Sequence, residues 1–326
     1  MPKVLHIGPC ETPGGMANVM RILAEHPPEG WEAELLSSHV VGSHWGKWRA
    51  YRQARAALAA MLKDENRRPD IVHLHTAADW SWWRKRRFAQ MAHKAGVPNI
   101  VHIHSGQFDT WLGAPDSKRT KRICSDAASF NTRFVALSND WKQRLNLFLE
   151  NVHCINNPIH PRYKPSNESR KPNQLLLLGR DDPVKGHSFA QAVSIILREE
   201  YPNLELFMTG ISESYEPWIS ALGWVSEEQK LKLLSNSTAL LVPSQYEGQP
   251  MVVIEALACG LPVIVSEHLS SLPPAVLRAG PLVEDWCEII RDLFTNPVTI
   301  NFDPTEHDVS AVAQKWGQYY EASLAN

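Results

Sequence analysis

Two carboxylates, Glu247 and Glu255, stand eight residues apart in the stretch SQYEGQPMVVIEALACGLPVIVSE, residues 244–267. Acids at such a spacing suggest general acid–base work, or acceptors for the hydroxyl groups of a ligand. The plain alternative is a solvated loop acid beside a surface helix acid. The local order of elements weighs against that alternative. Leu240 to Val242 read as a buried parallel strand. Gly248 permits a sharp turn or a close approach to a ligand. Pro250 suits the first turn of a helix, where its missing N–H costs nothing. Val253, Ala256 and Leu257 then fall at helical spacing, and Gly260 supplies the stop. Glu247 is thereby placed in a loop at a helix N-terminus, where free N–H groups favour anions or hydroxyl oxygens. Glu255 lies about a turn and a half into the same helix.

The elements that must position these groups alternate along the whole chain. Lys3 to Gly8 is a short apolar strand, followed by turn residues ending in Gly14 and Gly15, and then a helix from Met16 to Glu25. Strand, Gly-Gly loop and helix make a phosphate-approach geometry, and equally an ordinary strand-to-helix turn, since G-x-G-x-x-G is incomplete. Strands are predicted at Glu34 to Ser37, Asp70 to His75, Asn99 to His104, Arg133 to Ser138 and Val152 to Asn156. Helices are predicted at Trp48 to Lys63, around Trp80 to Ala95, and at Asp140 to Glu150. Residues 157–172 hold four prolines and few apolar residues, and read as a linker. A second alternation starts at Gln174 to Gly179, with Arg180 and Lys185 in its first loop. It runs through a helix at His187 to Leu197, a strand at Leu204 to Gly210 and a helix at Glu227 to Leu234. The strand Thr238 to Pro243, the strand Pro262 to Val265 and the helix Asp285 to Phe294 follow. A terminal helix, Glu306 to Ala322, is rich in aromatics.

Strands alternating with helices imply parallel, doubly wound α/β sheets. Ligands of such sheets bind beyond the C-terminal strand ends, which groups Gly14, Gly15, His75, His104 and Ser138. His73 and His102 are expected to face the sheet packing instead.

With 326 residues the chain is long for one core, so two domains are expected. Five cysteines without C-x-x-C spacing give neither a disulfide framework nor a zinc knuckle, and fit a reducing compartment. No signal sequence is read at the N-terminus and no run is long enough to span a bilayer. The net charge of −2 conceals an asymmetry. Residues 1–158 hold 21 Lys/Arg and 14 Asp/Glu, a balance of +7, and residues 159–326 hold 12 and 21, a balance of −9.

Gly14-Gly15, Gly179-Arg180 with Lys185-Gly186, Gly223-Trp224-Val225, Pro243-Ser244, Glu247-Gly248, Glu255-Ala256 and Gly260-Leu261-Pro262-Val263 form an ordered set. This set resembles the retaining glycosyltransferases of family 4. The resemblance implies the GT-B architecture: two Rossmann-like domains facing across a cleft, with a C-terminal helix crossing back to the N-terminal domain. It divides the chain into an acceptor-binding domain at 1–158, a linker at 159–171, a nucleotide-sugar domain at 172–302 and a returning helix at 303–326. It also implies roles. Arg180, a planar fork of donors, and Lys185, a mobile point charge, would hold the donor diphosphate without a metal. Glu255 would accept from the ribose hydroxyls and Glu247 from hydroxyls of the transferred sugar. Backbone groups of Gly248, Gln249, Pro250 and Met251 would line the sugar or phosphates, and Gly210, Trp224 and Val225 the base. Gly14 and Gly15 would approach the diphosphate, and His104 would contact the sugar near the reacting carbon. Transfer would retain the anomeric configuration. No cofactor is implied beyond the UDP- or GDP-linked donor itself.

His75 and Ser138 are acceptor-side candidates, and the acceptor would be a glycan or a lipid-linked molecule. Trp45, Trp48, Trp80, Trp82, Trp83 and Trp111 stand among Lys47, Arg49, Arg52, residues 84–87 and residues 118–122. Tryptophan mixed with basic residues suits an anionic membrane surface, so a cytoplasmic protein with peripheral membrane contact is expected. No nucleic-acid motif accompanies these charges. The alternatives are a sugar-nucleotide epimerase and a non-catalytic nucleotide-sugar-binding module; a phosphorylase would carry a pyridoxal-phosphate lysine site, and none is read here.

Overall fold

The computed structural model describes residues 1–166, 169–214 and 216–325. They divide into two units, Met1–His160 with Thr305–Asn326, and Pro161–Pro304. Residues 167 and 168 of the proline-rich stretch, and residue 326 of the terminal segment, lie outside the described residues.

The strands of the first unit are β1 (Lys3–Gly8), β2 (Glu32–Ser37), β3 (Ile71–Thr76), β4 (Asn99–Ile103), β5 (Thr132–Ala136) and β6 (His153–Cys154). They pair in parallel in the order β2-β1-β3-β4-β5-β6. Every residue of β3 and β4 is buried, the signature of central parallel strands covered on both faces. β2, at the edge, keeps half of its residues exposed. The helices between them are α1 (Gly15–Glu25), α2 (His44–Met61), α3 (Trp80–Lys94), α4 (Phe108–Leu112), α5 (Lys118–Phe130) and α6 (Asn139–Asn146). One core cluster runs from Leu5 and Ile7 through Leu58, Leu74 and Phe88 to Phe134 and Leu149.

The second unit repeats the plan. Its strands are β7 (Gln174–Leu177), β8 (Glu205–Met208), β9 (Ile219–Ala221), β10 (Ala239–Val242), β11 (Val263–Ser266) and β12 (Leu277–Ala279). They are parallel in the order β12-β11-β10-β7-β8-β9. Helices α7 (His187–Glu200), α8 (Glu227–Asn236), α9 (Met251–Ala258) and α10 (Val283–Thr295) connect them. The proline-rich stretch is packed where it is described. Tyr163 is buried, and the Arg170 guanidinium donates to the carbonyls of Leu234, Ser235, Ser237 and Cys259.

The chain then returns to the first unit. Ile159 pairs with Asp308, and the Asn157 carbonyl lies 2.8 Å from His307 Nδ1. The last helix, α11 (Val309–Leu324), lays Trp316 and Tyr320 on the first sheet. Trp316 and Tyr320 are one helical turn apart, so they share a face. The Tyr320 hydroxyl stands 2.8 Å from His73 Nδ1, and the Tyr320 ring packs tilted against Trp31, with centroids 5.0 Å apart. Such aromatic pairs add about 0.5–1.5 kcal/mol beyond their buried area.

His73 and His102 are fully buried in the packing, as expected, but they are not set apart from His75 and His104. Residues two apart on a strand share a face, so the four rings stand together: His73 lies 4.2 Å from His75, His102 lies 4.2 Å from His104, and His6 joins them 4.7 Å from His73.

Candidate active site

In the second unit the loop after β7 carries Arg180, and a single 3-10 turn, Pro183–Lys185, carries Lys185. Asp182 caps that turn by accepting from the Val184 N–H, and also pairs with Arg180 at 3.0 Å. The Arg180 side chain remains largely exposed. Lys185 reaches back to Glu247, with Nζ to Oε1 at 2.6 Å. Both are mostly buried, so this pair is stronger than a surface ion pair. The cation and the carboxylate, 62 residues apart in sequence, are therefore one unit.

Gly186 makes this approach possible. Its φ is +73°, and a Cβ there would stand 2.6 Å from the Pro243 carbonyl. Gly210 is explained in the same way. Its φ is +88°, and a Cβ would meet the Gly179 carbonyl at 2.4 Å. The glycine is demanded by the close crossing of two loops of the protein itself. Trp224 is exposed beside it and Val225 is half-buried.

Gly248 and Gln249 lead into α9, and Pro250 is the residue just outside its first turn, with φ −67°. Gly260, at φ +68°, ends the helix with its N–H donating to the Leu257 carbonyl. No acid occupies the first turn of α9, so Met251 and its neighbours present an uncompensated helix N-terminus. Glu255 is fully buried on α9, where both carboxylate oxygens lie 3.0–3.1 Å from Lys230 Nζ. Burial pushes the Glu255 carboxyl above its ordinary range, and Lys230 opposes that shift. Lys230 also pairs with Glu227 at 3.0 Å and lies over the Tyr163 ring, whose hydroxyl donates to Glu227 at 2.7 Å. Lys230, Tyr163 and Glu227 were invisible to sequence reasoning. Glu227 and Lys230 at i, i+3 read as an ordinary solvated helix pair. A cavity of about 540 Å³ adjoins this region, lined by Asp181, Pro183, Gly186, Ser244 and Gln245.

In the first unit, Gly14 and Gly15 open α1 with exposed backbone. A Cβ on Gly14 would meet nothing within 4 Å, but its φ of +129° restricts the position to glycine. His75 is fully buried, His104 is half-buried just beyond β4, and the His104 N–H donates to the Thr76 carbonyl. His75 Nδ1 lies 3.0 Å from His104 Nε2, and His75 Nε2 lies 3.0 Å from His6 Nδ1. Burial pushes His6 and His104 down to about 3, and holds His73, His75 and His102 well below the usual imidazole range. All five are therefore neutral near pH 7. Both ring nitrogens of His102 are buried without a hydrogen-bond partner, at a cost of about 1–3 kcal/mol for each unmet group. Ser138 caps α6, its hydroxyl accepting from the Trp141 N–H at 3.2 Å.

The tryptophans separate by burial. Trp82 is core, Trp83 and Trp111 are half-buried, and Trp45, Trp48 and Trp80 are exposed. Trp45 and Trp48 stack at 4.8 Å, with the Arg52 guanidinium 4.8 Å from the Trp48 ring. A groove of about 1140 Å³ in the first unit runs along β5, β6 and α11, and none of the expected site residues lines it. Among the described residues no helix is long and apolar enough to cross a membrane.

Two parallel six-stranded α/β units, one carrying the Lys185–Glu247 pair beside a helix N-terminus, define a protein of the GT-B class. Residues 161–280 match the model for glycosyl transferases group 1, and residues 15–163 match that for glycosyltransferase family 4. Together the two matches span both units and mark them as glycosyltransferase-type. The chain is 25% identical over 249 residues to a glycogen synthase of Mycobacterium tuberculosis, covering 69% of this chain and 58% of that protein. It is 26% identical to the UDP-Gal:alpha-D-GlcNAc-diphosphoundecaprenol alpha-1,3-galactosyltransferase of Escherichia coli, covering 64% and 60%. It thus spans less than two thirds of the length of these relatives. Sucrose-phosphate synthase from Thermosynechococcus elongatus shares the fold, with a TM-score of 0.70 at 14% identity over the whole of both chains.

Proposed function

We propose that the protein is a retaining hexosyltransferase. It moves a sugar from a UDP- or GDP-linked donor to a glycan or lipid-linked acceptor in the synthesis of envelope polysaccharide, lipopolysaccharide or glycolipid, in the cytoplasm at the inner face of the membrane. The observation that carries this reading is the 2.6 Å Lys185–Glu247 pair beside the free N-terminus of α9. It sets a cation for a phosphate next to a carboxylate for a hydroxyl, and the helix end adds N–H donors. Relatives that act on diphosphate-linked and nucleotide-linked sugars support it.

In this reading Arg180 and Lys185 neutralise the departing nucleoside diphosphate, so no metal is needed at the phosphates. Glu247 accepts from hydroxyls of the transferred sugar, and Glu255, steadied by Lys230, from the ribose. His104, neutral at working pH, hydrogen-bonds a sugar hydroxyl near the anomeric carbon. The acceptor oxygen bonds to that carbon from the face the phosphate leaves. The carbon–phosphate oxygen bond breaks, and the acceptor proton passes to the departing phosphate oxygen.

A thermal-shift panel of nucleotide sugars tests donor binding, since a ligand of the folded state raises its apparent stability by RT ln(1 + [L]/Kd). The expected result is a shift with one nucleotide-sugar class, lost in Glu247→Ala. Product stereochemistry by NMR tests the mechanism, and an inverted anomer would overturn retention. Nucleoside diphosphate released at the same rate with and without any acceptor would leave a binding module or a hydrolase.

A further inference from the structure

The histidines of the first sheet form more than a packing layer. β3 carries His73 and His75, β4 carries His102 with His104 just beyond its end, and His75 and His102 are register partners. Two H-x-H pairs on adjacent strands thus direct imidazoles to one side of the sheet. One ring nitrogen from each of His75, His102 and His104 lies within 4.8 Å of the other two. His75 and His102 are fully buried and His104 is half-buried, and neutral imidazole is the form that ligates metal.

We propose that His75, His102 and His104 hold a divalent late transition-metal ion, of which zinc is the prototype. Three neutral imidazoles are a borderline-soft donor set that suits zinc, cobalt, nickel and copper over magnesium or calcium. His75 Nδ1 and His104 Nε2, 3.0 Å apart, stand near the separation of about 3.3 Å that two nitrogens take around a tetrahedral ion. His102 supplies the third ligand by a ring rotation, which gives one of its unpartnered nitrogens a partner. His6 Nδ1, 3.0 Å from His75 Nε2, accepts the proton left on the far side of that ring and so fixes the tautomer that ligates. His104 is half-buried, and with its Nε2 on the ion its Nδ1–H stays available to a hydroxyl. The proposed ligands are not among the residues assigned to the phosphates, and the proposal does not depend on the reading of the protein as a transferase.

The test is Co²⁺ titration of the purified, chelator-treated full chain, followed by visible absorption and by metal analysis after desalting. Wild type is expected to take up about one Co²⁺ per chain, with the absorption bands of a tetrahedral nitrogen–oxygen site, displaced by Zn²⁺. His104→Gln, at a half-buried position that tolerates the change, should weaken uptake at least about 100-fold. His102→Gln should do the same where circular dichroism shows it folded. His6→Phe, which removes only the outer partner, should weaken it about 10- to 100-fold. His268→Gln, on an exposed histidine of the other unit, should leave it unchanged. Among the described residues two other groups are present, His6 with His73 and His75, and His26 and His160 with Glu25, the second serving as the internal control. Uptake lost in His73→Gln but kept in His104→Gln would also overturn the proposal. Uptake that follows His26→Gln and ignores His104→Gln overturns the proposal, as does a wild type that takes up no stoichiometric metal. In that last case the rings form only a hydrogen-bonded chain.

Discussion

The two units share six parallel strands with helical connections, yet they bury different chemistry. The first unit holds twelve of the fourteen histidines, and five of them cluster without a counter-charge on one face of its sheet. The second unit holds two histidines and buries a whole carboxylate, Glu255 paired with Lys230, while each unit also keeps a mostly buried pair, Arg86 with Asp126 and Lys185 with Glu247. The surface balance differs in the same sense. Counting residues by unit gives 22 Lys/Arg and 17 Asp/Glu in the first, and 11 and 18 in the second, that is +5 and −7. A neutral polar core under a basic surface responds to acid. A core of paired charges responds to the loss of a partner. The sheet topology is common to both, so the difference lies in the few polar side chains each sheet end carries.

The sharpest break of this contrast is Glu255→Ala. It leaves Lys230, mostly buried, with Glu227 as its remaining carboxylate partner, so the cost should fall below the roughly 3–5 kcal/mol of a buried charge left fully unpaired. Urea denaturation followed on the second unit should show this loss, and the nucleotide-sugar thermal shift should disappear. His104→Ala should weaken donor binding less than Glu255→Ala does. Equal donor affinities in the two variants would erase the division of labour.

Acid should act in the opposite place. A histidine whose folded pKa is lowered binds its proton more readily when unfolded. Its stabilising contribution is complete above the unfolded value near 6.5 and is lost as pH falls toward the folded value, about 3 for His6 and His104. Thermal melts from pH 7.5 down to pH 4 should therefore show the first unit failing first. Tryptophan fluorescence reports this well, because nine of the twelve tryptophans belong to that unit. Simultaneous loss of both units at every pH would count against the contrast.

A smaller effect is expected at the surface. Trp45→Ala with Trp48→Ala should reduce sedimentation with anionic vesicles several-fold and leave neutral vesicles unaffected, since both rings are exposed beside Arg49 and Arg52. Equal sedimentation of wild type and variant would remove the membrane reading. The smallest effect is Ser138→Ala, where loss of the cap on α6 should cost about 0.5–2 kcal/mol in chemical denaturation.

The alternation of strands and helices was legible because each central strand is a short apolar run bounded by glycine, proline or asparagine. The helix α5 was not, since KRTKRICSDAASF offers few apolar residues and buries only Thr120, Ile123 and Phe130. Its core face exists only against α3 and β5. Short edge strands such as β9 and β12, of three residues each, carry too little pattern to be read. In the candidate site, residue types and loop positions were readable, but partners were not. Nothing local says that Lys185 touches Glu247, or that Lys230 reaches Glu255 from another helix. The histidine faces were readable in principle, because a period of two places His73 beside His75.

The parallel bridge between Ile159 and Asp308 has a consequence for synthesis. The second unit is inserted within the first, and α11 supplies the Trp316 and Tyr320 that close over His73 and His102. A nascent chain that has made its first sheet must therefore wait for the whole of the second unit before that face is covered. Domains emerge from the ribosome in order, but here the first to emerge is the last to be completed. Until Tyr320 arrives, the imidazole layer stays open to solvent.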